Sequence, residues 1–290
     1  MNSSNAPLVS VCIPSFNNGR FIDAAIRSVL GQTLGDFELI VVDDHSSDGT
    51  AVRVRTYSDA RIRFIVNDAN LGHEGNWNKA LREARGRFIK ILPGDDLLHP
   101  RCLERQTAAF GDVSSGDIAL VSCARDIIDE RGRTLMRRAF PGKEGSVPGL
   151  EAVRRSVRAG TNLIGEPAAV LMRADLIART GTFSAADLYV IDLDYWVRLL
   201  LHGRLAVIPE PLCAFRVSLA AASTRIRKTQ SRDFRSFLIR LGEDPRYELT
   251  AGDLRRGRMR ASVNAWMRRL IYWMSFFRRR NQRSAGAMFQ

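Results

Sequence analysis

Two pairs of adjacent carboxylates, Asp43-Asp44 and Asp95-Asp96, are the residues in this chain whose type and spacing could do chemistry. Neighbouring aspartates repel, so a pair in a cleft is costly unless a cation or hydrogen-bond donors join it. A hard divalent cation with oxygen ligands, shared with a diphosphate, would supply that compensation. On this reading Asp95-Asp96 could hold ribose and metal, and Asp44 could accept a hydrogen bond from a nucleobase N–H. The local alternative is cheaper for each pair taken alone. Asp95-Asp96 would cap the following helix, with Pro100 in its first turn, and Asp43-Asp44 would cap a helix or form an Asx turn.

The elements that must position these residues favour the ligand reading. Phe88 to Leu92 is a short apolar run stopped by Pro93-Gly94, and Phe37 to Val42 is another that stops at Asp43. Leu8 to Ile13 reads as a buried strand ended by the turn residues Pro14 to Gly19, and Arg61 to Val66 as one more strand. Between them, Phe21, Ile22, Ala25, Ile26, Val29 and Leu30 form one face of a helix, and a second helix is expected from about Gly75 to Ala84. This alternation predicts an α/β fold with a parallel, doubly wound sheet. Ligands bind at the C-terminal ends of such strands, where all four carboxylates would align.

After Asp96 the pattern is less regular. A helix is expected over Leu103 to Phe110, a strand over Ile118 to Cys123, and a hairpin or excursion over Asp126 to Arg138. Val147 to Ala159 reads as helix and Ala168 to Met172 as strand. Leu193, Trp196, Val197 and Leu200 mark a helix with one apolar face, and short strands surround Pro209 and Pro211.

The 290 residues, 45% apolar, suffice for a large α/β domain with an appendage. Cys12, Cys102, Cys123 and Cys213 are scattered without zinc spacing, as expected of a reduced cytosolic chain. The first residues lack the order of a signal peptide, and no apolar run approaches the roughly 20 residues needed to span a bilayer. The first strand is not followed by a glycine-rich dinucleotide fingerprint, and the chain has no Walker A sequence, which disfavours an NAD enzyme or a P-loop NTPase. Of the net charge of +13, +9 falls between Ala251 and Gln290.

Val9-Ser10-Val11-Cys12-Ile13-Pro14-Ser15-Phe16-Asn17, Val41-Val42-Asp43-Asp44-His45-Ser46-Ser47-Asp48-Gly49-Thr50 and Pro93-Gly94-Asp95-Asp96 resemble the motifs of family-2 inverting glycosyltransferases with the GT-A fold. Asn70-Leu71-Gly72, Asn76-Trp77-Asn78-Lys79-Ala80-Leu81 and Ala84-Arg85-Gly86-Arg87-Phe88-Ile89 follow the same pattern, and the match runs from about residue 8 to 217. The resemblance implies a GT-A, Rossmann-like, mostly parallel sheet with helices on both faces. It implies donor binding by Pro14, Ser15, Phe16, Asp43, Asp44, Asn78 and Asp95, with Asp44 reading the base. Asp95 would contact ribose or metal-bound water, and Asp96, with Asp95, would hold Mn²⁺ or Mg²⁺ with the donor diphosphate.

Ile191-Asp192-Leu193-Asp194-Tyr195-Trp196-Val197-Arg198 resembles the family segment that carries the general base, which falls on Asp192. Ile191 stands where relatives have a glutamate. The local alternative makes Asp192 a helix N-cap and Asp194 a first-turn charge. Ser218 stands where many relatives have a histidine, which leaves Arg216, Arg225, Arg227 or Lys228 to neutralise the diphosphate.

The expected function is sugar transfer from a UDP- or dTDP-linked donor to a hydroxyl of a glycan or lipid-linked glycan, by one metal-dependent, inverting displacement. The alternative is a catalytically inactive nucleotide-sugar-binding or scaffold protein of polysaccharide assembly. Nucleic acid is not expected as a partner, because no nucleic-acid-binding module is recognisable. A homodimer stays open.

The expected domains are a glycosyltransferase domain over residues 1–222, its nucleotide half at about 1–97 and its acceptor half at about 98–222, followed by a basic helical extension over 223–290. In that extension Val263, Trp266, Met267, Leu270, Ile271, Trp273, Met274, Phe276 and Phe277 make an aromatic-rich stripe among arginines. Such a helix docks on an anionic membrane surface without crossing it, here the cytoplasmic face of the cell membrane. The same stripe could instead pack on the catalytic domain or a second subunit.

Overall fold

The computed structural model describes residues 6–111, 117–217 and 229–267. Its centre is a ten-stranded sheet whose main path runs β3-β2-β1-β4-β9-β6-β10-β5. These strands are β1 (Val9–Ser15), β2 (Phe37–Asp43), β3 (Ile62–Val66), β4 (Phe88–Ile91), β5 (Leu97–Leu98), β6 (Ile118–Ile128), β9 (Val170–Arg173) and β10 (Arg204–Arg216). Off the path, β7 (Thr134–Arg138) pairs with β6, and β8 (Gly145–Val147) pairs with β10.

The half from β3 to β4 is parallel throughout. Beyond it β9 runs antiparallel to β4 and β6, while β10 is parallel to β6. The strand-end carboxylates therefore do share one edge.

Side chains alternate across a strand, and each face of this sheet has its own core. Val9, Val11, Ile13, Leu39 and Val41 pack with Ile22, Ala25, Ile26 and Val29 of helix Ile22–Leu30. Cys12, Ile40 and Val42 face the other way, toward Trp77, Ala80 and Leu81 of helix Gly72–Glu83. Burial on both faces is why these strands read as continuous apolar runs.

Two expectations at prolines are corrected. Pro14 does not end β1, which continues to Ser15 and pairs Pro14 with Val42. Pairing with β4 stops at Cys12–Ile91, so on that side the proline interrupts no ladder. Likewise the residues around Pro209 and Pro211 form one strand, β10, rather than two. Its register against β6 shifts on both sides of Pro211, and these irregularities accommodate the prolines.

The boundary expected at 222 falls within residues 218–228, outside the described residues, as do Ser218, Arg225, Arg227 and Lys228. On its far side helix Gln230–Glu243 buries Phe234, Phe237, Leu238 and Leu241 in the cluster that holds Phe183 and Trp196.

Helix 251–267 follows, started by a reciprocal cap: Asp253 N–H donates to Thr250 Oγ1 at 3.1 Å, and Thr250 N–H donates to Asp253 Oδ2 at 3.0 Å. Its buried stripe is Asp253, Gly257, Ala261 and Ala265. A Cβ on Gly257 would lie 2.5 Å from the carbonyl oxygen of Val157, so only glycine permits this approach to helix Gly149–Ala159. Met259, Val263, Trp266 and Met267 are exposed. The remainder of the expected stripe, Leu270 to Phe277, lies outside the described residues.

Phe237 is 1% exposed, whereas Ile239 on the same helix is 48% exposed. Urea denaturation should show Phe237→Ala destabilising the protein by about 3–5 kcal/mol, and Ile239→Ala by less than about 0.5 kcal/mol. Equal, small effects would mean that this helix is not part of the core.

Candidate active site

The sheet edge that carries the paired carboxylates is built by three strand-end loops that hold one another. Asn17 and His45 adopt left-handed backbone conformations (φ 53° and 61°) just past β1 and β2. Side chains of this kind are scarce in that region and collect at functional turns. Asn17 N–H donates to Ser46 Oγ at 2.9 Å, and Ser47 N–H donates to Asn17 Oδ1 at 2.9 Å. Ser15 is buried, its hydroxyl donating to Asn18 Oδ1 at 3.1 Å, whereas Phe16 beside it is 46% exposed. Pro14 lies beneath, buried in the strand. A Cβ on Gly94 would come within 2.9 Å of Asn18 Oδ1, so a larger residue in the Pro93-Gly94 turn would have to displace the Asn18 side chain.

The carboxylates of the edge differ in what they offer. Asp43 is fully buried and accepts from Ser46 N–H (3.0 Å) and Ser46 Oγ (2.5 Å), the turn contact anticipated as its local role. Asp44 Oδ1 accepts from Asn67 Nδ2 (2.7 Å) and Leu71 N–H (2.8 Å), which pins the loop before helix Gly72–Glu83. His73 on that helix stacks on Trp77, and burial pushes its imidazole down to about 4 against the opposing pull of Asp44, so it is neutral at pH 7.

Asn78 does not join this edge. Its carboxamide clamps the Phe183 backbone, accepting from the N–H at 2.8 Å and donating to the carbonyl at 2.9 Å. Arg216 too is committed elsewhere. Its N–H donates to Asp96 Oδ1 (2.8 Å), its Nε to the Asp95 carbonyl (2.8 Å) and a terminal nitrogen to the Asp129 carbonyl (2.9 Å), with the guanidinium 4.7 Å from the centre of the Phe21 ring. It braces the Asp95-Asp96 turn against β10.

Asp96 is fully buried, and its Oδ2 has no hydrogen-bond partner. Burial pushes both carboxyls up, and Asp95's charge raises Asp96 further. A desolvated carboxylate oxygen beside a second carboxylate is the donor set of a hard cation, so these residues fit Mg²⁺ or Mn²⁺. Among the described residues no cluster of three or more acidic, histidine or cysteine ligands forms.

Asp192 is not a helix cap: the N-cap of helix Ile191–Leu199 is Val190, and Asp192 lies in its first turn. Its Oδ1 accepts from Leu193 N–H at 2.7 Å and its Oδ2 from Asn162 Nδ2 at 2.9 Å. Burial, then the negative charge of Glu166, push this carboxyl up to about 7. Such a group can take a proton near neutral pH. Asp194 is held instead in ion pairs with Arg198 and Arg240, both at 3.0 Å.

Residues 10–178 match the family model described as "Glycosyl transferase family 2". The chain belongs to that family. A protein of Mycobacterium tuberculosis is 34% identical over 77% of this chain and 72% of its own length. An Escherichia coli UDP-Glc:alpha-D-GlcNAc-diphosphoundecaprenol beta-1,3-glucosyltransferase is 46% identical over 34% of this chain and 39% of its own length. Among solved structures, a mannosyltransferase from Pyrobaculum calidifontis in complex with GDP-Man and Mn²⁺ has the same fold, with a TM-score of 0.61 at 18% identity over 91% of this chain and 70% of that one.

In this family-2 glycosyltransferase, sequence reasoning missed the surroundings of Asp192. Asn162 also donates to the Gly165 carbonyl and accepts from Gly165 N–H, both at 2.9 Å, and Trp196 Nε1 donates to the same carbonyl at 3.1 Å. Arg125, 1% exposed, pairs with Glu166 at 2.5 Å. The asparagine, glycine and glutamate lie in one short stretch before the buried Pro167-Ala168-Ala169, a loop whose composition alone gave no signal of a site.

A general base works in its ionised form, so with Asp192 in that role kcat should rise as pH passes about 7 and level off above it. The Asn162 hydrogen bond favours that ionised form. Asn162→Ala should therefore move the acid limb of the profile to higher pH; an unmoved limb would show that the limb does not report Asp192.

Proposed function

We propose that this chain transfers a sugar from a nucleoside-diphosphate donor, UDP- or dTDP-linked, to a hydroxyl of a glycan or lipid-linked glycan, with inversion at the anomeric carbon. The single observation that carries the reading is Asp192, a buried carboxyl held near 7 by burial and by the charge of Glu166, the same charge that acts on Asp96. A nucleotide-binding scaffold has no use for such a base.

Asp192 accepts the proton of the acceptor hydroxyl as that oxygen attacks from the face opposite the departing diphosphate. Asn162 and Leu193 N–H hold the carboxylate in place for it. Phe16 presents an exposed ring at the donor edge, and Asp44 fixes the adjoining loop. Asp95 and Asp96 would hold the divalent cation, which supplies positive charge to the diphosphate as it leaves. Arg216 keeps those two carboxylates on the edge. The UDP-linked donor and lipid-linked acceptor are supported by the name of the Escherichia coli relative.

The reading extends to location at the inner face of the cell membrane. Among the described residues no helix is long and apolar enough to cross a membrane. The exposed Met259, Val263, Trp266 and Met267 share helix 251–267 with exposed Arg255, Arg256, Arg258 and Arg260, a composition suited to a helix that lies on an anionic surface.

Asp96→Asn keeps the shape but removes a charged oxygen ligand, so turnover should collapse and metal-dependent nucleotide affinity should fall. Asp192→Asn should leave nucleotide affinity within a few-fold and lower kcat by about 10²–10⁴. Activity of either variant near the parent's would defeat the assignment. Met259→Ser/Trp266→Ser should release the protein from anionic vesicles at low salt while turnover on a water-soluble acceptor persists; unchanged sedimentation would remove the membrane role.

A further inference from the structure

We propose that Glu166 binds a hydroxyl of the transferred sugar and so helps to select the donor. The inference rests on the transferase reading above and deepens it. In a single displacement the anomeric carbon lies between the leaving oxygen and the attacking hydroxyl. The first is placed by Asp95-Asp96 and the second by Asp192, so the sugar ring occupies the space between them.

Glu166 directly follows Gly165 in a loop, and the Gly165 backbone exchanges two 2.9 Å hydrogen bonds with Asn162, the residue that donates to Asp192. The same loop is held on its other side by Trp196 Nε1 and by Arg125, whose guanidinium reaches the carbonyls of Asn162 and Leu163 at 3.4 Å. Glu166 lies near enough to both Asp96 and Asp192 for its charge to act on each.

The side chain is 17% exposed, so a ligand can reach it. Burial works against its charge, yet Arg125 and Arg138 hold the carboxyl below its usual range, and it is ionised at neutral pH. Arg125 Nε lies 2.5 Å from Oε2, and Arg138 approaches Oε1 at 3.6 Å. An ionised carboxylate has about four acceptor sites, so these contacts leave room on each oxygen for a hydroxyl donor.

A pair that served stability alone is an expensive choice here. Removing a carboxylate and a guanidinium from water costs much of what their attraction returns. A fixed, pre-oriented acceptor beside a sugar ring is a reason to keep the pair, because hydrogen bonds to a charged group discriminate strongly for the donor that makes them.

The test is calorimetric titration of the full chain with Mn²⁺ and a panel of UDP-, dTDP- and GDP-linked hexoses, the matching free nucleotides, and monodeoxy versions of the tightest donor. Glu166→Gln should bind the free nucleotide within about two-fold of the parent and the sugar donor about 10- to 100-fold more weakly. One deoxy donor should be equally weak with the parent and lose nothing further with the variant. Glu166→Asp, with its charge kept and its reach shortened, should lose affinity for the sugar donor only.

Equal loss for nucleotide and sugar donor, or no loss for either, would make Glu166 only a structural partner of Arg125. If Glu166→Gln does not fold, the parent's deoxy series decides: no single hydroxyl worth tenfold overturns the proposal. A parent protein that binds none of the free nucleotides would overturn the transferase reading itself, and this inference with it.

Discussion

A buried carboxyl oxygen with no hydrogen-bond partner in the protein is costly to keep, and this fold keeps one at Asp96 Oδ2. The other oxygen is held by the backbone N–H of Arg216, and the Arg216 guanidinium is bound to the Asp95 carbonyl, so the group cannot swing out to solvent. The surrounding structure serves this constraint. β10 must pass Asp96 in register, its bulges around the prolines must bring Arg216 to that point, and the turn at Gly94 must lie against Asn18. A hard cation held by Asp95 and Asp96 would relieve that cost.

The second desolvated carboxyl, Asp192, is managed differently. It has two hydrogen-bond donors, and the charge that raises it comes from Glu166, which is fixed by the buried Arg125. The family resemblance placed a glutamate directly before Asp192, where Ile191 stands. Here an acidic group acts on Asp192 from position 166 instead. Ile191 is buried, as its place in the helix requires.

The nucleotide half was legible because each strand is buried on both faces and each connecting helix shows one apolar face. Pattern alone therefore gave their order and their shared edge. The limits of the strands were less legible. Pro14 and the prolines of β10 looked like stops, and whether a proline stops a strand depends on which neighbour it faces, a fact of the sheet rather than of the residue. The family resemblance placed Asn78 at the donor, and Arg216 was put there to stand in for the histidine that Ser218 replaces. In space Arg216 is turned onto the Asp95 and Asp129 carbonyls, and Asn78 onto the Phe183 backbone. Glu166 and Asn162 had no local signature at all, because Asn162 takes its meaning from Asp192, thirty residues on, and Glu166 from Arg125 on another strand.

These parts make one central claim: a base at Asp192 and a leaving group at Asp95-Asp96 act on opposite faces of the same carbon. Stereochemistry tests it most directly. The anomeric configuration of the product, read from its proton coupling constant by NMR in the first minutes of turnover, should be opposite to that of the donor. Retention of the donor's configuration would contradict the account, because a single displacement with Asp192 as base cannot produce it.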